Sequence, residues 1–85
     1  MRQQTIDAEQ IKAQQGGLEK WLGKSVKIGF DTHLGGTEWM WLMVSAVKGR
    51  KLVGKLKSEP WFAIEYRQGQ KITFKEDEIF AVNLV

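Results

Sequence analysis

Residues 39–44, Trp-Met-Trp-Leu-Met-Val, form an unbroken apolar run behind Glu38, while the segments around it alternate. A strand with one covered face alternates apolar and polar positions, so this run marks a strand with apolar side chains on both faces. Elsewhere the two-residue period is plain. Val26, Ile28 and Phe30 alternate with Lys27 and Gly29, and Leu52, Gly54 and Leu56 alternate with Lys51, Val53, Lys55 and Lys57. The pattern predicts strands over 26–30, 38–47, 50–57, 61–66, 71–74 and 79–84, with Lys48-Gly49 turning the second into the third as a β-hairpin. Ser58-Glu59-Pro60 interrupts the ladder because proline has no N–H to donate, and Glu76-Asp77-Glu78 reads as a helical turn before the last strand.

The first part of the chain has a different character. From Thr5 to Gln15 it is rich in helix formers, Asp7 and Gln10 are spaced as a capping box, and Gly16-Gly17 is a stop; a helix is predicted there, with Ile6, Ala8, Ile11 and Ala13 as a thin apolar stripe. Leu18, Trp21 and Leu22 predict a short helical turn closed by Gly23, with Trp21 plugging one end of the core. The expected fold class is α+β: an N-terminal helical segment (1–23) followed by a strongly bent, five- to six-stranded antiparallel sheet (24–85). It is expected to form one domain, a small open barrel or roll of the Src-homology-three (SH3-like) type.

In such a fold the long strand crosses the centre. Trp39, Trp41 and Met43 share one of its faces and Met40, Leu42 and Val44 the other. One set fills the interior, and the other is expected to lie under the helical segment. Tryptophans in small domains are usually core, so full burial is the commoner outcome. The helix stripe is thin, however, and any uncovered remainder would be an apolar patch suited to a protein partner or a second copy of the chain. The candidate interface residues are Trp39, Trp41, Met43 and, on the fourth predicted strand, Trp61.

Composition changes this picture in two ways. The chain has 85 residues, 42% hydrophobic and 27% charged, with no cysteine, so a small domain must be held by packing alone. No secretory signal is read in the polar opening residues, and the run 39–44 is far too short to span a bilayer; a soluble cytoplasmic protein without a membrane partner is expected. Net charge is +3 but uneven: Lys48, Arg50, Lys51, Lys55 and Lys57 lie within ten residues without an acid, while Glu76-Asp77-Glu78 is acidic. With Lys27, Lys71 and Lys75 also at outward positions, these cations define a basic sheet face. Such a face beside Trp39, Trp41 and Trp61 is an alternative nucleic-acid surface. The modest charge and the expected burial of the aromatics weigh against it.

Catalytic chemistry has one candidate cluster, Asp31, His33 and Glu38, in or beside the glycine-rich segment 31–37. It contains the only histidine, matches no metal-ligand spacing, and stands apart from any nucleophile motif or phosphate loop, so a non-enzymatic chain with no cofactor or metal is expected.

Several segments taken together resemble the bacterial YegJ-like domain family, itself of unknown function. They are Val26-Lys27-Ile28-Gly29-Phe30, Glu38-Trp39-Met40-Trp41, the stretch from Gly54 to Pro60, Gly69-Gln70-Lys71-Ile72-Thr73-Phe74, and Glu78-Ile79. The resemblance covers roughly residues 26 to 82 and implies a fold and a bacterial or phage-like setting, without an activity. The chain departs from the family pattern at Trp39 (usually histidine), Ser58 (asparagine), Gln70 (aspartate) and Ala81-Val82 (Asp-Trp). The expectation is a small binding module acting by protein–protein contact, as an inhibitor, an immunity-type protein or a homodimeric building block, with nucleic-acid binding as the alternative.

Overall fold

The structure, a computed structural model, describes residues 5–83. Six strands and one short helix follow one another as β1 (Thr5–Asp7), α1 (Ala8–Lys12), β2 (Ser25–Asp31), β3 (Thr37–Lys48), β4 (Lys51–Leu56), β5 (Lys71–Phe74) and β6 (Ile79–Asn83). Single 3₁₀ turns lie at Leu18–Trp21 and Glu76–Glu78. The strands make one antiparallel sheet in the order β1-β6-β2-β3-β4-β5. Its edges, β1 and β5, do not pair with each other, so the sheet is not closed into a barrel. It does curl. Ile28 and Phe30 of β2 line one cleft with Ile72 and Phe74 of β5, three places away in strand order, and the Phe30 ring meets Tyr66 edge-on at 4.8 Å.

The predicted hairpin of β3 and β4 forms, and β2 and β3 also pair antiparallel across the glycine-rich connection. Val26, Ile28 and Phe30 lie opposite Leu42, Met40 and Glu38, and Lys48 pairs with Lys51 across a two-residue turn. Gly49 takes φ 63° there and Arg50 a negative φ, the combination of a type II′ turn, which matches the twist of the flanking strands.

Two predicted elements are overturned. Residues 5–7, expected as the first turn of a helix to Gln15, instead pair with β6, leaving only Ala8–Lys12 helical. A short helix with a thin apolar stripe is marginal in water, whereas the edge of β6 offers a ready ladder of backbone partners. Residues 61–66, expected as a strand, form an irregular loop whose N–H groups at Trp61, Phe62 and Ala63 all point to the Glu38 carboxylate rather than to a neighbouring strand.

The central strand resolves cleanly. Met40, Leu42 and Val44 are buried in one cluster with Val26, Ile28 and Phe30 of β2, Leu52 and Leu56 of β4, and Phe74 of β5. Ala8, Ile11 and Trp21 from the helical segment and Ala63 from the loop belong to the same cluster. Trp21 does plug the core: it is fully buried and its indole N–H donates to Glu76 Oε2 at 2.6 Å. Among the described residues no helix is long and apolar enough to cross a membrane.

Candidate functional site

The helical segment covers only the inner face of the sheet, and Trp39, Trp41 and Met43 are on the other. The expectation that they lie beneath that segment is therefore corrected: Trp39 is 49% exposed, and Trp41 and Met43 are half-buried. The reason is where the segment ends. Gly23 N–H donates to Val44 O at 3.0 Å and Val44 N–H to Lys24 O at 2.9 Å, so the chain runs into β2 at the far end of β3 while Trp21 turns inward.

What surrounds Trp39 is built by β2 and β6. Gly29 is its cross-strand partner, and a Cβ at Gly29 would lie 3.0 Å from Cζ3 and 3.2 Å from Cη2 of the indole. Gly29 thus lets the ring lie down over the β2 backbone, a close approach that any larger residue would obstruct. On β6 the register shifts between Lys27 and Ile28, leaving Phe80 as an extra residue between Ile79 and Ala81. A bulge re-aims side chains. Phe80 is left 61% exposed with its ring 5.0 Å from that of Trp39. The sequence pattern missed Phe80, although Gly29 inside a strand is itself a sign of close approach.

Trp41 sits among cations. Lys27, its partner on β2, places Nζ 5.8 Å from the ring centroid, within cation–π range. On the other side Lys57 N–H donates to Trp41 O at 2.9 Å, and Trp41 N–H donates to Ser58 Oγ at 2.9 Å. Further along, Met43 pairs with Lys55, Lys55 with Lys71, and Lys48 with Lys51. Like charges directly opposite one another destabilise a sheet, and here this happens twice on one face. Among the described residues from Ala8 on, the one acid in register with this face is Asp31, at the hairpin end; on the edge strand β1, Asp7 is paired with Ala81. Two shallow depressions share Lys57: one of about 250 Å³ with Ser25, Trp41, Ser58 and Asn83, and one of about 380 Å³ with Met43, Lys55, Leu56, Gln68 and Gly69. Arg50 stands apart, in the hairpin turn.

The other candidates are not brought into this surface. Trp61 is 79% exposed, but on the loop that Glu38 holds at the inner side of β3, so it does not extend the Trp39–Met43 row. Asp31 and Glu38 belong to opposite faces of the hairpin, Asp31 in register with Thr37 and Glu38 with Phe30. His33 lies exposed in the connecting turn. Among the described residues no group of three or more His, Cys, Asp or Glu could hold a metal ion. Glu38 instead fastens the loop: its carboxylate accepts the N–H of Trp61 at 2.7 Å, of Phe62 at 2.9 Å and of Ala63 at 2.8 Å. The hydrogen bond from Ala63, followed by those from Trp61 and Phe62, holds its carboxyl below the ordinary carboxylate range against an opposing effect of burial.

Residues 5–83 match the protein family described as an uncharacterised protein conserved in bacteria, DUF2314. The chain belongs to that family. The segments that carried the resemblance all lie inside the matched span. No curated protein and no solved structure matches the chain. The fold places the positions at which the sequence was set apart from the resembling domains. Trp39 lies on the outer face and Ala81 is paired with Lys27 of that face. Ser58 accepts the Trp41 backbone N–H. Gln70 accepts the Arg67 N–H within the turn at 2.9 Å, and Val82 is core.

Proposed function

We propose that this chain is a non-enzymatic binding module, that its working surface is the outer face of the sheet, and that its partner is anionic. One observation carries the reading: a row of exposed Trp39 and half-buried Trp41 and Met43 on the side the helical segment leaves open, with lysines around its Trp41–Met43 end that sit opposite one another at a cost to the fold. Exposed aromatic surface supports binding of some kind, and the sign of the frame supports the kind. A homodimer through this face would bring two sets of lysines together, so self-association here is disfavoured. Contact with the acidic surface of another protein, as an inhibitor or immunity-type module would make, fits the same charge.

Lys57 lines both depressions, whereas Lys12 on α1 is ion-paired with Glu9 at 3.3 Å on another part of the molecule. Lys57→Glu and Lys12→Glu each lower the net charge from +3 to +1. Elution from a heparin resin separates local from overall charge: Lys57→Glu is expected to leave at clearly lower salt than Lys12→Glu. Equal elution of the two variants would remove this face as the anion-binding surface.

A further inference from the structure

Resting on that reading of the outer face, we infer that the anionic partner is single-stranded nucleic acid. The first ground is the pose of Trp39. Its indole reaches over the backbone at Gly29, the Phe80 ring packs beside it at 5.0 Å and a tilt of 44°, and about half of its surface is open. A half-open indole backed by the sheet offers ring surface, which a base can stack on and a carboxylate cannot use. The second ground is spacing. Trp39 and Trp41 point the same way two residues apart, about 6.6 Å along the strand, too far for bases stacked about 3.4 Å apart but suited to successive unstacked bases.

The third ground is the position of the cations. Lys27 stands at the Trp41 ring, and Lys57, Lys55 and Lys71 continue beside Trp41 and Met43, so a strand laid along β3 meets ammonium groups where it passes Trp41 and Met43. Rings for the bases with cations for the backbone is the composition of a sequence-tolerant single-strand surface. Duplex bases are stacked on one another and cannot reach such rings. An acidic polypeptide would satisfy the lysines while leaving the open indole without a role.

The test is fluorescence anisotropy of three labelled probes: a short oligothymidylate, a duplex of the same length, and poly-glutamate. The oligothymidylate should bind with quenching of tryptophan emission. Its log affinity should fall against log salt with a slope of roughly −3, for four lysines meeting phosphates on a single strand. Trp39→Ala and Trp41→Ala should each weaken it by about 5- to 150-fold, the loss of one stacked base, while Trp61→Ala leaves it unchanged. Circular dichroism confirms that each variant is folded, and Lys27→Glu with Lys57→Glu gives the same comparison without touching a ring. Single-strand binding that the tryptophan variants leave intact, or a duplex bound as tightly, would overturn the inference. If poly-glutamate binds and loses affinity on Lys57→Glu while the oligothymidylate does not bind, the inference falls and the anionic-partner reading stands. If no probe binds, both fall.

Discussion

Trp21→Ala is expected to lower the free energy of unfolding by about 3–5 kcal/mol, the range for removing a buried tryptophan. Trp21 is the one tryptophan of the four with no exposed surface, and it joins the helical segment to the sheet core. The loss has two parts. Most is the cavity left among the inner-face residues; the rest is the hydrogen bond from Nε1 to Glu76 Oε2, which also ties the start of the chain to the 3₁₀ turn before β6. At the usual 0.05–0.15 kcal/mol per residue, a chain of this length has only about 4–13 kcal/mol in total. The variant therefore loses a large fraction of its stability, and at the low end of that range it is partly unfolded at room temperature. Trp21→Phe separates the two parts, since it keeps most of the ring volume and loses the donor. Urea denaturation should rank wild type above Trp21→Phe and Trp21→Phe well above Trp21→Ala. A Trp21→Ala variant with an unchanged midpoint would mean that the core is not built around this side chain.

Glu38→Ala is expected to release the loop of residues 58–66. It removes the acceptor of consecutive N–H groups at once, one of them belonging to the buried Ala63. A buried donor left without a partner costs more than a hydrogen bond normally contributes. Amides 61–63 should then exchange with solvent as in an open loop, and the edge contact between Tyr66 and Phe30 should loosen. The same fastening sets a pH dependence. The Glu38 carboxyl is held below its ordinary value of 4.5 in the folded chain. Its contribution to stability is therefore present in full above 4.5 and is lost as pH falls through the lower folded value. The amide shifts of Trp61, Phe62 and Ala63 should move together in that acid window. In Glu38→Gln, which cannot ionise, the window should be absent; an identical acid transition in this variant would show that another group holds the loop.

These two sites mark what could be read from sequence and what could not. Trp21 was legible because Leu18, three residues earlier, packs against the same core, although Leu22, which the same spacing groups with them, is left 43% exposed. The strands of β2 to β4 were legible because Val26, Ile28 and Phe30 and Leu52, Gly54 and Leu56 alternate within themselves, and a two-residue turn at Gly49 needs no distant partner. Residues 5–7 were not, because their ladder is with β6 at the opposite end of the chain. Trp61–Tyr66 looked like a strand by composition, but the acceptor that decides its backbone is Glu38, 23 residues earlier. Glu38 has the sequence context of a candidate acid, beside Asp31 and His33, and in the fold it fastens a loop.

The binding surface was half legible. The row Trp39, Trp41, Met43 and the lysines of β4 were picked out from alternation alone. Which side of β3 faced the core depended on where the helical segment turned inward, which no local pattern encodes. Phe80 was hidden because the register shift in β6 adds one residue to the alternation, and so reverses the face that counting assigns to it.

The central claim is that Trp39 and Trp41 lie on the working face while Trp21 is core and Trp61 stands apart. The four tryptophans give four indole N–H resonances, which serve as four reporters in one spectrum. On titration with a short single-stranded oligonucleotide, the Trp39 and Trp41 resonances are predicted to shift in step, with those of Trp21 and Trp61 unmoved. Shifts confined to Trp61, or an absence of shifts at Trp39 and Trp41 under saturating conditions, would contradict the assignment of the outer face as the site.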